Sequence, residues 1–313
     1  MWLSFSIYYQ VKEQKDLPQI WQSIIYSFTA EQWWNLIVVM LLMLVNWGLE
    51  AYKWQWLMKG IQQISFKQSF KAIFAGQAFA FGTVNNVGEF IGKIAYLDEG
   101  NRSRAIAVSI VGSISQVIVT FMMGIAGLIF FQSNFLNNTY LLKTFSVVGF
   151  NLLEVLMIMC LVILLMLYYK LIWIIRLLER ISFVSKYIYL ISNLKEFHWK
   201  ELTRILFLSF IRFMVFIIQY LILLHVFKVV ADNVALMWVV SVLFLTLAII
   251  PSIAFAELGL RGEIGIQLIG LLSTNIAGIL LATAGIWFIN RVLPAMTGSI
   301  ILMRIKIFKK QTS

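Results

Sequence analysis

Long apolar runs dominate the chain, and only short polar stretches separate them. Five runs are uninterrupted and reach the roughly 20 residues that an α-helix needs to cross a hydrocarbon layer of ~30 Å. They cover residues 35–57, 105–131, 147–169, 202–227 and 276–302. No polar stretch is long enough to form an independent soluble domain. The pattern therefore predicts an all-α polytopic membrane protein.

Two further apolar regions, 68–97 and 234–273, are interrupted in the middle by polar residues and glycines. The interruptions read TVNNVGEFIGK (83–93) and PSIAFAELGLRGE (251–263). Each arm beside an interruption has about 8 to 16 residues at ~1.5 Å per residue, so it is short enough to enter a membrane and turn back. These regions are candidates for broken-helix hairpins.

The distribution of lysine and arginine orients the spans, because cytoplasmic flanks accumulate these residues. Seventeen basic residues, including Lys53, fall in segments assigned to the inside, and four fall outside. The four outside are Lys12, Lys15, Lys143 and Lys228. This assignment puts both ends of 68–97 on the cytoplasmic side and both ends of 234–273 on the outer side, so we predict two re-entrant hairpins. In the alternative, 236–255 crosses completely and the basic C-terminus lies outside.

The order span, hairpin, span occurs twice, with the two halves facing opposite ways. We therefore predict an inverted-topology repeat, a design in which paired interrupted segments mark a transporter's binding site. At an offset of 174 residues the hairpins align with four identities in sixteen positions, and two of them pair Gly88-Glu89 with Gly262-Glu263. The residues predicted at the hairpin tips are Asn85, Asn86, Gly88, Pro251, Gly259 and Gly262.

The predicted organisation divides the chain into five parts. Residues 35–131 and 202–303 form the two membrane repeats, and 132–201 supplies a connecting span and a basic amphipathic segment at the inner leaflet. The chain ends in a basic cytoplasmic tail, 304–313. The first part, 1–34, begins like the tail of a helix, so we expect either a partly present helix or a true start upstream of Met1. We predict no signal peptide there.

Composition agrees with the membrane class and restricts the chemistry. Hydrophobic residues make up 61% of the chain, charged residues only 12%, and the mean hydropathy is +0.88. The single Cys160 and the distant His198 and His225 give no metal-ligand spacing, so we predict no metal and no cofactor. The net charge of +11 fits cytoplasmic loops facing anionic lipid better than nucleic acid. We expect a multi-pass protein of a bacterial inner membrane with its C-terminus in the cytoplasm.

Four segments resemble the transmembrane region of lysylphosphatidylglycerol synthases, a flippase-like integral membrane family. They are NWGLEAYKW (46–54), VGEFIGK (87–93), PSIAFAELGLRGE (251–263) and NRVLP (290–294). Relatives often carry a TPxRxGE pattern in the first hairpin, where this chain has Val84 and Asn86. The resemblance implies a membrane module that binds or moves lipid head groups, without the cytosolic domain that transfers the aminoacyl group in some relatives.

Nine ionisable residues fall at predicted membrane depth, where a central charge costs at least ~2.5 to 3.5 kcal/mol unless it pairs, meets water or binds a ligand. Seven are candidate lipid-binding residues: Glu89, Lys93, Arg212, Glu257, Arg261, Glu263 and Arg291. The other two, Glu50 and Glu154, lie near span ends, and we expect them at the interface.

Local spacing suggests a structural role for some candidates. Glu89 begins the second arm of the first hairpin, where it caps a helix N-terminus, and Lys93 follows at a helical pairing distance. Gly88 allows a sharp turn, and Glu257 is placed to pair with Arg261.

Arg212 and Arg291 lie mid-span, and a guanidinium suits either a ligand phosphate or a buried carboxylate. The carboxylates considered are Glu89, Glu257 and Glu263, and both readings stay open. We predict no catalytic residues.

Three functions fit the sequence. The first is a protein that binds and translocates an anionic lipid or a polyprenyl-phosphate-type lipid. The second is a membrane enzyme acting in lipid or envelope glycolipid synthesis, which would need carboxylates or histidines at a membrane face. The third is an accessory subunit that works with an envelope-synthesis partner or as a homo-oligomer.

Overall fold

The structure, a computed structural model, describes residues 32–135, 147–170 and 197–303 as helices joined by short turns. The first half contains α1 (Trp33–Leu57), α2 (Phe66–Ala80), α3 (Glu89–Ile94) and α4 (Arg102–Phe135), followed by α5 (Val147–Tyr169). The second half contains α6 (Trp199–Val226), α7 (Asn233–Ile249), α8 (Ala254–Ile269), α9 (Ile276–Trp287) and α10 (Leu293–Met303). Most of the N-terminal segment, the amphipathic segment and the tail lie outside the described residues.

The five predicted spans are confirmed as long apolar helices. Within the described residues, five segments have the length and hydropathy to cross a membrane: Trp33–Gly60, Glu99–Ser133, Gly149–Tyr169, Trp199–Val226 and Ile276–Met303. No strand occurs in the described part of the chain. The protein is an all-α polytopic membrane protein, and its helix order matches the predicted order of spans and broken regions.

The first broken region turns where the sequence predicted. α2 ends at Ala80, α3 begins at Glu89, and the two arms pack against each other. The turn uses left-handed backbone at Asn85 (φ 50°) and Asn86 (φ 60°), which asparagine tolerates better than most residues. Gly88 acts differently from the prediction, because its φ is −58°. A glycine is needed there for close packing, since a Cβ would lie 2.3 Å from the Phe79 carbonyl oxygen.

The second broken region turns earlier than predicted. α7 ends at Ile249 and α8 begins at Ala254, so Pro251 lies in the turn while Gly259 and Gly262 lie inside α8. The prediction that these two glycines form the tip was wrong. A glycine costs a helix only about 1 kcal/mol relative to alanine, which packing offsets, whereas the residue before a proline is driven to extended backbone.

This turn also revises the register of the repeat. Gly262-Glu263 lies in the middle of α8, whereas Gly88-Glu89 stands at the start of the short arm α3, so the two dipeptides do not occupy corresponding positions. The ion pairs Glu89–Lys93 and Glu257–Arg261 have the same i,i+4 spacing and lie 168 residues apart, near the start of each second arm. The inverted repeat itself stays a prediction, with 168 residues as its offset.

Helix packing follows the order of the two halves. α1 packs against α6, α4 against α7, and α10 against α2. Glycines allow two of these approaches: a Cβ on Gly124 would lie 2.4 Å from Cβ of Leu245, and one on Gly298 would lie 1.9 Å from the Phe74 carbonyl oxygen. The last span of each half therefore packs on the broken region of the other half: α4 lies on α7, and α10 lies on α2.

A π-helical turn, Phe288–Val292, interrupts the last span between α9 and α10. Pro294 follows two residues after this turn. Its nitrogen has no hydrogen to donate to the helix, and its ring crowds the preceding turn. A widened turn is a common way to absorb such a break and often occurs at functional sites. Here it carries Asn290 and Arg291, which line a cavity of about 460 Å³.

Candidate functional site

A cavity of about 460 Å³ lies between the two broken regions. Every described helix except α5 and α10 contributes to its lining, together with both hairpin turns and the π-helical turn. Its walls combine aromatic side chains with buried charged groups, and its volume falls within the range of ~300 to 1,000 Å³ typical of ligand sites.

The two hairpin tips contact each other at one edge of this cavity. The Asn85 backbone N–H donates to the Ser252 carbonyl oxygen at 3.1 Å, and the Ser252 N–H donates to Asn85 Oδ1 at 3.2 Å. Next to them, the rings of Phe81 and Phe255 meet edge to face with centroids 5.1 Å apart. Residues 167 positions apart in the chain thus join the tips directly.

Glu50 is the centre of the larger charged cluster, which we call the Glu50 cluster: Glu50, Lys53, Glu89, Lys93 and Arg212. Lys53 Nζ lies 2.8 Å and Arg212 Nη1 2.6 Å from Glu50 Oε2, and Lys93 Nζ lies 3.5 Å from Oε1. Lys93 also pairs with Glu89, as the spacing predicted. The Lys53, Lys93 and Glu50 side chains are 2, 2 and 8% exposed, so the cluster is buried.

The expectation that Glu50 lies at the interface was wrong, and so was the counting of Lys53 among the cytoplasmic flanking charges. The positive-inside count becomes sixteen against four, which leaves the predicted orientation unchanged. The position of Glu50 along its span does not show that the face of α1 that carries it packs against α6. The signal available was the NWGLEAYKW motif, in which Glu50 and Lys53 stand three residues apart on one helical face.

Further contacts fix the cations of this cluster in place. Arg212 Nε donates to Asn46 Oδ1 at 2.7 Å, and its guanidinium lies 5.2 Å from the centroid of the Trp47 ring. Lys53 Nζ donates to the Gly112 carbonyl oxygen at 3.2 Å and to Ser209 Oγ at 3.3 Å. Arg212 therefore pairs with Glu50, which was not among the predicted partners.

The second cluster, the Glu257 cluster, contains Glu257, Arg261 and Arg291. Arg261 Nη2 donates to Glu257 Oε1, and Arg291 Nη2 lies 3.3 Å from Glu257 Oε2. Arg291 Nη1 also donates to Asn86 Oδ1 at 3.2 Å, so this arginine connects the second cluster to the first hairpin tip. Its side chain is 25% exposed, more than that of any other member of either cluster, the next being Glu89 at 21%.

Six of the seven predicted site residues therefore lie in these two clusters. Glu263 is the exception, because it lies on α8 outside the cavity lining and accepts a hydrogen bond from Gln267 at 3.3 Å. The predicted tip residues Asn85 and Asn86 line the cavity, as does Ser252 beside Pro251. Sequence reasoning missed Glu50, Lys53 and Trp47.

The site contains more positively charged than negatively charged side chains. Among the described residues, the cavity lining and Lys93 supply five basic side chains against the three carboxylates Glu50, Glu89 and Glu257. Each cluster contributes one uncompensated positive charge. In a low-dielectric surrounding such a surplus attracts an anion. No group of three or more His, Cys, Asp or Glu side chains among the described residues is arranged to hold a metal ion.

Comparison with protein families identifies the membrane module. The family model for the lysylphosphatidylglycerol synthase TM region matches residues 13–298. The chain belongs to this family. The match confirms the resemblance seen in the sequence and makes the chain a membrane protein of a lipid-handling family. No curated protein and no solved structure matches the chain.

Family membership sets the limits of the assignment. The matched region is the membrane region, which in this family often accompanies a separate catalytic domain, so the match assigns a membrane module and no reaction. Of the motifs that carry the resemblance, NWGLEAYKW supplies Glu50 and Lys53, and NRVLP supplies Arg291. The family motifs thus meet at the cavity.

Proposed function

We propose that this protein binds the anionic head group of a membrane lipid in the cavity and translocates that lipid across a bacterial inner membrane. The observation that carries the proposal is the surplus of two positive charges around one cavity at the meeting point of the broken regions. A neutral or cationic head group would leave this surplus uncompensated inside the membrane, where charges are costly. An anionic head group would neutralise it.

Arg291 is the group that we expect to contact the head group. It is the more exposed of the two cations in the Glu257 cluster, and it shares Glu257 with Arg261. A phosphate could therefore take hydrogen bonds from Arg291 without leaving Glu257 unpaired. Because Arg291 also donates to Asn86, ligand binding at Arg291 would weaken a contact to the first hairpin tip. Binding and tip separation would then be coupled, as translocation requires.

The transport prediction uses vesicles reconstituted with the full chain and a fluorescent phosphatidylglycerol or polyprenyl phosphate. We expect Arg291→Gln to slow lipid movement at least about tenfold, which corresponds to the loss of about 1.4 kcal/mol of charge-assisted hydrogen bonding. Arg204→Gln is the matched control, because Arg204 stacks on Trp56 outside the cavity lining.

Two results would contradict this function. One is wild-type protein that moves none of the lipids, and the other is an Arg291→Gln rate equal to that of the wild type. Absence of transport together with a stoichiometric co-purifying protein would favour the accessory-subunit alternative.

Topology provides an independent test of the proposed mechanism. We propose that the α2–α3 pair enters from the cytoplasm and the α7–α8 pair from the outer side, with the C-terminus inside. Reporter fusions after Leu97 should then report the cytoplasm, and fusions after Ser273 should report the outer side. Signals on the same side for both fusions would exclude opposed hairpins.

A further inference from the structure

We propose that the bound head group carries two negative charges, as a phosphate monoester does, in preference to the single charge of a phosphate diester. This inference rests on the proposed function and adds the charge of the ligand. It follows from where the surplus charges lie and from which donors face the cavity.

The two surplus positive charges belong to different clusters. In the Glu50 cluster, three cations share two carboxylates, and in the Glu257 cluster two cations share one. A ligand with one negative charge would neutralise one cluster and leave the other with a buried, uncompensated cation, which is costly in a low-dielectric surrounding. A ligand with two negative charges would neutralise both.

The hydrogen-bond donors that line the cavity also favour a phosphate monoester. A phosphate monoester presents three strong acceptor oxygens, whereas a diester has only two oxygens free of carbon. Arg291 offers its guanidinium to the cavity, and Arg261, which also lines it, has a buried Nε with no hydrogen-bond partner in the described structure. A guanidinium has five N–H donors, so the two arginines have donors beyond those that Glu257 and Asn86 engage. An acceptor-rich terminal phosphate matches that supply.

The cavity size limits the ligand to a head group. A volume of about 460 Å³ accommodates one or two phosphate groups with a short attachment, while the acyl or prenyl chain would remain in the surrounding lipid. The cavity walls include Trp47, Phe216 and Phe244, whose rings lie against the guanidinium groups of Arg212 and Arg261. These rings exclude water and strengthen the attraction between the cations and the phosphate.

The test measures lipid occupancy by native mass spectrometry on the full chain in phosphatidylcholine nanodiscs at about pH 8. At this pH a phosphate monoester, with a second pKa of about 6, carries two charges. Phosphatidic acid and phosphatidylglycerol with the same acyl chains are added in equal amounts. We expect phosphatidic acid to bind at least about tenfold more tightly, equivalent to about 1.4 kcal/mol. Inorganic phosphate is then added as a competitor. If it displaces phosphatidic acid, the site recognises the phosphate group itself; if it does not, the site recognises the lipid-linked phosphate. Once the preference for phosphatidic acid is seen, either result supports a dianionic ligand.

Charge variants connect this preference to the cavity. Arg291→Gln removes one surplus charge, so it should abolish the preference for phosphatidic acid while phosphatidylglycerol still binds. Arg204→Gln removes a charge outside the cavity lining and should leave the preference unchanged. Equal binding of the two lipids to wild-type protein, or an unchanged preference in Arg291→Gln, would overturn the dianion proposal alone. If neither lipid binds better than phosphatidylcholine, the proposed function fails with it.

Discussion

Replacing Glu50 with glutamine is expected to destabilise the protein more than any other single charge change in the cavity. Lys53, Lys93 and Arg212 all lie within 3.5 Å of this carboxylate. Removing one partner of a buried ion pair typically costs about 3 to 5 kcal/mol, a large fraction of the 5 to 15 kcal/mol that separates folded from unfolded protein. We expect Glu50→Gln to lower the melting temperature in detergent by roughly 5 °C or more, or to prevent folding.

The matched control is Glu99→Gln. The Glu99 side chain is 85% exposed and lies 3.6 Å from Arg102, and such surface pairs contribute only about 0 to 1 kcal/mol. Its melting temperature should stay close to that of the wild type. A double variant, Glu50→Gln with Lys53→Met, removes a buried negative and a buried positive charge together, so it should recover part of the lost stability. If Glu50→Gln melts like Glu99→Gln, the Glu50 cluster does not stabilise the fold.

A disulfide between the hairpin tips is expected to stop lipid movement. The Asn85 backbone nitrogen lies 3.1 Å from the Ser252 carbonyl oxygen. We therefore expect their Cα atoms to fall within the range of about 4.4 to 6.8 Å that a disulfide spans. If the halves move around the cavity during translocation, the tips must separate. In a Cys160→Ser background, Asn85→Cys with Ser252→Cys should crosslink under mild oxidation, reduce lipid movement at least about tenfold, and recover with reductant.

Single-cysteine variants control for the substitutions themselves. Asn85 has a left-handed backbone, and cysteine is less suited to this than asparagine, so Asn85→Cys alone measures that cost. Cys160 is the native cysteine on α5 and is replaced so that it cannot form mixed products. Full lipid movement by the crosslinked protein would mean that the tips remain together throughout the cycle.

The predictable part of the site consists of pairs that are close in sequence. Glu89 with Lys93 and Glu257 with Arg261 are four residues apart, a spacing that places side chains together on any helix. The break between α2 and α3 was predictable for a similar reason, because polar residues interrupted an apolar run. The second tip was misplaced because glycines inside a packed helix look the same in sequence as glycines in a turn.

The amino-acid sequence by itself determined the membrane class, the five spans, the two breaks and the local ion pairs, because hydropathy and helical spacing act between residues close along the chain. The tertiary structure alone decided that Arg212 pairs with Glu50, 162 residues away, and that Arg291 reaches Asn86, 205 residues away. A buried charge can be satisfied by any nearby carboxylate, so the sequence could not show which one it would meet. That choice depended on which helix faces pack together, and the packing placed two surplus positive charges around one cavity.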